Sequence, residues 1–223
     1  MHQTGLIEVI SAPYPILTLL LLGTVVLAIW GHHPDRRWVH HVCKPMATLL
    51  LMTIAMVGVS DARIKTWVLT ALVFSLIGDI ALMFKERYFI PGLVSFCLAL
   101  LSYALAFTLE ARFTNLQWVY ALLPISVALV FLNSMWGTFG SLRYAVAGYA
   151  MMMALFLWRA FSRFDESSIS LSSWALVLGG AMLFMLGDIL LARRHFAKIE
   201  GAYWIQLGAY FLAQWCLVSG LAL

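Results

Sequence analysis

The chain has 223 residues, 63% of them apolar and only 11% charged, against about 25% charged in an ordinary soluble domain. That balance excludes a water-soluble fold. Its 14 Lys and Arg and 10 Asp and Glu are scattered over short connections, with no basic run suited to nucleic acid, and the excess reads as a signal of topology.

A membrane-spanning helix takes about 20 mostly apolar residues, so eight take about 160 and leave nothing for a second domain. The expected architecture is therefore all-α, one integral membrane domain over residues 1–223, a polytopic bundle of eight transmembrane helices. The amino terminus lacks the charged start and small-residue cleavage site of a secretory signal, so Pro15–Trp30 reads as a retained first helix. The following spans are Lys44–Val59, Thr66–Phe84, Phe89–Leu109, Gln117–Asn133, Ser141–Phe161, Leu171–Ala192 and Tyr203–Leu223. Turn-forming segments separate them: HHPDRR, DARIK, KERYFIPG, EARFTN, NSMWGTFGS, SRFDESS and RRHFAKIEG.

Eight spans put both termini on one side. That side carries Arg63, Lys65, Arg112, Arg159 and Arg163, and the other carries Arg36, Arg37, Lys44, Lys85, Arg87, Arg143, Arg193, Arg194 and Lys198. The richer side is expected in the cytoplasm and the termini outside it, in a cell inner membrane. Cys43, Cys97 and Cys216 are isolated thiols without metal spacing and read as apolar filler. GDIALMF in the third span recurs as GDILLAR in the seventh, and YALAF in the fourth as YFLAQ in the eighth. The offsets are nearly equal, which makes a parallel four-plus-four repeat a candidate.

Asp79 and Asp188 carry most of the information, because a carboxylate inside a span is costly and commonly faces a cavity or a partner. Each is expected about one turn from the same face, where Lys44 opens the second helix, Asn133 closes the fifth and Arg143 begins the sixth. The plain alternative is a structural ion pair between Asp79 and Lys44 or Arg143. Gly78 and Gly187 allow a helix or ligand close to each carboxylate. Tyr103, Tyr149, Tyr210 and Gln214 lie deeper; they suit orientation of a carboxylate or water, or simple hydrogen bonding between helices. His32, His33, His40 and His41 match no zinc spacing, and no G-x-S-x-G elbow, P-loop or dinucleotide fingerprint is present. No metal or cofactor is expected.

Lys44 and Pro45 before an apolar run, GDIALMF, GLVSFCLALLSYALAF, the lone Tyr149, LGDILLARRHF and YFLAQ together resemble the YhhN family of membrane lysoplasmalogenases. Two positions depart from the family: Leu100 stands where it often has His, and Gly187 where it commonly has Ser. The resemblance implies hydrolysis of the vinyl-ether bond of a lysoplasmalogen to a fatty aldehyde and glycerophosphoethanolamine or glycerophosphocholine. Asp79 and Asp188 would be the acid and base, with Lys44, Asn133, Arg143, Tyr103, Tyr149, Tyr210 and Gln214 around the substrate. That substrate is a single-chain ether phospholipid, with its phosphate near Lys44, Arg143 and Arg193 or Arg194. Vinyl ethers hydrolyse through protonation at carbon and attack of water on an oxocarbenium ion, a task for paired carboxylates. A proton- or ion-coupled transporter using the same aspartates is the alternative, although the third and seventh spans lack a mid-membrane break. A metal-dependent lipid hydrolase built on the His cluster and a non-catalytic lipid-binding protein are further readings.

Overall fold

The computed structural model describes residues 14–111, 117–199 and 203–223. Eight helices follow one another: α1 (Tyr14–Trp30), α2 (Arg37–Gly58), α3 (Ala62–Met83), α4 (Phe89–Glu110), α5 (Gln117–Met135), α6 (Arg143–Ser162), α7 (Leu171–Phe196) and α8 (Tyr203–Ala222). The seven from α2 to α8 are long and apolar enough to cross a membrane, and α1 is an apolar helix of 17 residues. Large apolar side chains such as Leu19, Val26, Trp118, Leu122 and Val130 stand exposed on the outside. On a soluble protein so wide an apolar surface would aggregate; on an integral membrane protein it is the face presented to lipid.

In lipid, apolar burial between helices gains little, so close packing and interhelical hydrogen bonds must hold the bundle. α1–α2, α3–α4, α5–α6 and α7–α8 pack as hairpins, α2 rests on α8, and α6 correspondingly rests on α4. This is the pairing a four-plus-four repeat requires. It fails in one place. The Trp215 indole N–H of α8 donates to Thr18 of α1 at 3.2 Å, while α5 has no comparable seat on α4. The main core contains Leu51, Leu72, Leu100, Phe156 and Phe184, and a separate small cluster of Ala128, Leu132, Met135, Phe139, Val146 and Ala150 lies under α5.

Two polar features secure the end opposite Lys44. Arg159 donates to Thr108 at 3.0 Å, the Gln117 side-chain oxygen at 3.1 Å and the Ala111 carbonyl at 2.9 Å. Arg163 pairs with Glu110 at 2.9 Å and donates to Ser173 at 3.0 Å. Both arginines are buried, and together they stitch the adjoining ends of α4, α5, α6 and α7. There too Asp61 caps α3, accepting from the Arg63 and Ile64 N–H groups at 2.8 and 3.1 Å, and Ser170 caps α7. The Ile64 and Arg63 N–H groups hold the Asp61 carboxyl below the usual carboxylate range.

Several expectations change. α2 begins at Arg37 rather than Lys44, because His40 is buried and its Nδ1 bonds the Ala28 carbonyl at 2.8 Å, extending helical packing through RRWVHHV. Lys44 is thus two turns inside the helix, not at its start. α7 runs on through Arg193, Arg194 and His195, so Asp188 lies two turns, not one, from its end. α5 continues past Asn133 to Met135. Arg159 and Arg163, read as interfacial charges, are internal. Arg112 and the Lys85 side chain lie outside the described residues.

Candidate active site

The site grows from the two halves in parallel. In the first, α3 carries Asp79 four residues before its end, and α2 presents Lys44 and Thr48, one turn apart on one face. Lys44 Nζ lies 3.0 Å from Asp79 Oδ1, and Thr48 donates to Asp79 Oδ2 at 3.1 Å. From α8 the Tyr210 hydroxyl donates to the same Oδ2 at 3.0 Å. Asp79 is only 1% exposed, so this shell of one cation and two hydroxyls replaces the water it has lost.

In the second half α7 carries Asp188, and α6 presents Tyr149, whose hydroxyl donates to Asp188 Oδ2. Tyr149 therefore stands toward Asp188 as Lys44 stands toward Asp79, and Met153, one turn on, occupies the place of Thr48. The two halves share their carboxylates and differ at the partners: a cation and a hydroxyl in one half, a neutral phenol and a thioether in the other. Among the described residues no cation pairs with Asp188, and it is half-buried rather than closed in.

Both carboxylates face one cavity of about 910 Å³, walled by α2, α3, α7 and α8 and reaching the connections at the Arg37 and Arg194 end of the bundle. A narrow slot of about 80 Å³ adjoins it among α3 to α7, lined by apolar residues including Pro124, Val127, Ala150, Met153 and Leu157. Leu82, Phe89, Phe96, Asp188 and Leu191 border both spaces. The slot exists because α5 is not seated on α4. Asp188 thus marks the junction between a polar vestibule and an apolar crevice, the boundary an amphiphile would straddle.

Tyr103 and Gln214 border neither space. Fully buried, they stand behind Tyr210: the Tyr103 hydroxyl donates to Gln214 Oε1 at 2.5 Å, and Gln214 Nε2 donates to Ser75 at 3.0 Å and to the Tyr210 oxygen at 3.4 Å. Their geometry orients the phenol that reaches Asp79. The structure does not bring Asn133 or Arg143 to the cavity. Asn133 is exposed, and the exposed Arg143 side chain turns back to the Gly140 carbonyl at 3.2 Å and lies over the Tyr144 ring. Both occupy outward faces at helix ends, and so the ion pair of Asp79 is with Lys44 and not Arg143. At Gly78 a methyl group would stand 2.7 Å from the Phe96 ring, so that glycine serves the α3–α4 contact, whereas Gly187 borders the cavity.

Sequence reasoning missed Thr48, Arg37, Arg87 and Tyr203. Thr48 was findable, being one turn beyond Lys44; the others lie at helix ends or connections where residue type alone carries no signal. The His cluster is used for packing. His40 Nδ1 faces a carbonyl and must carry the proton, so Nε2 accepts from the Tyr203 hydroxyl at 3.1 Å. The His32 ring stacks on Tyr203 at 3.6 Å. Burial pushes His32 down to about 4, helped by His40, Arg194, Arg37 and Lys44. Among the described residues no three His, Cys, Asp or Glu side chains form a group able to hold a metal ion.

The model of the YhhN family matches residues 39–221, a stretch that includes every residue lining the cavity except His32, Pro34 and Arg37. No curated protein and no solved structure matches the chain.

Proposed function

The chain belongs to the YhhN family, and from that membership and the paired carboxylates we propose that it is a membrane lysoplasmalogenase. It hydrolyses the vinyl-ether bond of a single-chain ether phospholipid to a fatty aldehyde and a glycerophospho-alcohol. The observation that carries the reading is a polar vestibule lined by two differently solvated aspartates, one of which, Asp188, also borders an apolar slot.

The asymmetry supports a division of roles. Asp79 is committed to Lys44, Thr48 and Tyr210 and serves as the fixed negative charge. Asp188, with one neutral hydrogen-bond partner and an open side toward the slot, is the carboxyl that carries the proton. It delivers that proton to the outer carbon of the vinyl ether, and the oxygen lone pair forms the oxocarbenium ion. The Asp79 carboxylate stabilises this cation, as a carboxylate does in glycoside hydrolysis. A carboxylate has about four acceptor positions, and three are taken, so one remains to hold the attacking water. Addition of water gives a hemiacetal, the water's proton restores the acid, and the hemiacetal breaks down to aldehyde and alcohol.

A slot of about 80 Å³ does not enclose a long chain. The first carbons would lie between Phe96 and Met153, and the rest would pass out through the unseated α4–α5 seam into the bilayer. The test is aldehyde release by purified protein from a lysoplasmalogen, beside an ester lysolipid and the Asp79→Asn and Asp188→Asn variants. The expected result is aldehyde from the vinyl ether alone, with both variants reduced at least ~100-fold, the scale of general acid–base catalysis. Silence from folded wild-type protein, or normal turnover in either variant, would sink the assignment.

A further inference from the structure

We propose that Arg194, together with Arg37 and Arg87, is a binding site for an anionic phosphodiester headgroup, set in the vestibule beyond the two aspartates. The lysoplasmalogenase reading supplies the rest of the ligand, but the anion site stands on its own observations.

The first is charge balance. Arg37, Arg87 and Arg194 all line the 910 Å³ cavity, where among the described residues the only acidic side chains are Asp79 and Asp188. Asp79 is engaged by Lys44, Asp188 by Tyr149, and among the described residues none of the three arginines has an acidic partner. Three unneutralised guanidinium groups around one pocket favour an anion. Phosphate suits them because a planar fork of donors meets two of its oxygens at once.

The second is that Arg194 is held in place with its donors unspent. Its guanidinium lies 4.8 Å from the centre of the Tyr203 ring. That ring is fixed by the stacked His32 and by its hydroxyl's bond to His40, itself tied to the Ala28 carbonyl. A cation over a ring is held by the ring's quadrupole rather than by its own N–H donors, which stay available to a ligand. His32 reports the same field: Arg194 and Arg37 both act against its protonation.

The third is distance. Arg194 follows Asp188 by six residues, about 9 Å along α7, and helical side chains lean toward the amino-terminal end, here back toward Asp188. Both side chains line the same cavity, and a three-carbon glycerol with its phosphoester oxygen spans a separation of that order. A lipid whose reacting bond is at Asp188 therefore carries its phosphate to Arg194 while its chain occupies the slot. The ligand class is a single-chain lipid with an ionised phosphodiester, in preference to the same lipid without phosphate.

The test compares each lipid with its dephosphorylated counterpart. For purified wild-type, Arg194→Gln and Arg37→Gln proteins, kcat/KM is measured on 1-alkenyl-glycerophosphocholine and on 1-alkenyl-glycerol. Binding of a lysophosphatidylcholine and of the matching monoacylglycerol is measured in parallel. Loss of a charge-assisted hydrogen bond should lower the phosphorylated-to-dephosphorylated ratio ~10-fold or more, in turnover and in binding. An unchanged ratio, with both substrates falling together, would overturn the site. If the wild type turns over neither alkenyl lipid, the lysoplasmalogenase reading fails and binding alone decides. Wild-type preference for the phosphorylated lipid, lost in the variants, keeps the anion site, and equal affinity for the two lipids removes it. Should Arg194→Gln not fold, the exposed Arg37 carries the same comparison.

Discussion

Replacing Lys44 by Met tests whether the Asp79 shell is as interdependent as its geometry implies. The pair is nearly dry, with side-chain exposures of 10% and 1%, and its N–O separation is 3.0 Å. Removing one partner from a buried ion pair leaves an uncompensated charge and costs about 3–5 kcal/mol. Thr48 and Tyr210 still donate to Asp79 in the variant, which places the cost at the lower end, about 3 kcal/mol. For a chain of this size that is about 6–12 °C in Tm. The assay is thermal unfolding of purified protein in detergent, extended to Asp79→Asn and to the double variant. Asp79→Asn should itself destabilise, by leaving Lys44 unpaired, and the double variant should be more stable than the sum of the singles by at least ~1 kcal/mol. Additive effects, or a Lys44→Met cost below about 1 kcal/mol, typical of a solvated pair, would refute the view that the two residues form one buried unit.

Other perturbations separate the remaining parts. Ala150→Phe, which fills the slot beside Tyr149, should raise KM for long-chain vinyl-ether lipids by ~10-fold or more, since extra bulk in a packed site costs about 1–3 kcal/mol; a soluble short-chain vinyl ether should be far less affected, and equal losses would contradict the tail assignment. His32 is neutral when folded down to about 4 but takes a proton near 6.5 when unfolded. Its contribution is therefore complete above about 6.5 and lost as pH falls through that window toward 4; Tm should decline there, and His32→Gln should flatten the decline. Arg163→Met, which strands the Glu110 carboxylate, should cost about 3 kcal/mol in unfolding measurements, while the surviving folded protein keeps its kcat/KM; a selective loss of turnover would mean that the far end reaches the chemistry.

The eight helices were legible in the sequence because apolar runs of this length have no other stable use. Asp79 and Asp188 were legible for the converse reason, as carboxylates where lipid forbids unsupported charge. Helix rotation was not. Asn133 and Arg143 stand at the expected height but on outward faces, and α5 is too uniformly apolar for its sequence to say which side turns inward. Arg159 and Arg163 looked like interface markers because their partners lie far away in the chain: Gln117 is 42 residues from Arg159 and Glu110 is 53 from Arg163. Lys44 was placed at a helix start because the polar HHPDRR and RRWVHH segments read as loop; only the bond from His40 to Ala28 shows why the helix extends through the second of them. The vestibule was the least visible part, being assembled from connections and helix ends that no periodicity ties together.

The plate formed by Arg159, Arg163, Glu110 and Gln117 also bears on sidedness. Among the described residues the polar mouth lies at the Arg37 and Arg194 end, and at the opposite end buried hydrogen bonds tie α4, α5, α6 and α7 together. A carrier has to expose its site to each aqueous phase in turn, and here an opening between the far ends of α4, α5, α6 and α7 would strip two buried guanidinium groups of their partners. A mouth at the Arg37 and Arg194 end returns water-soluble material to the compartment it faces, while the apolar slot opens toward the surrounding bilayer. The orientation adopted at insertion therefore sets which compartment that mouth faces.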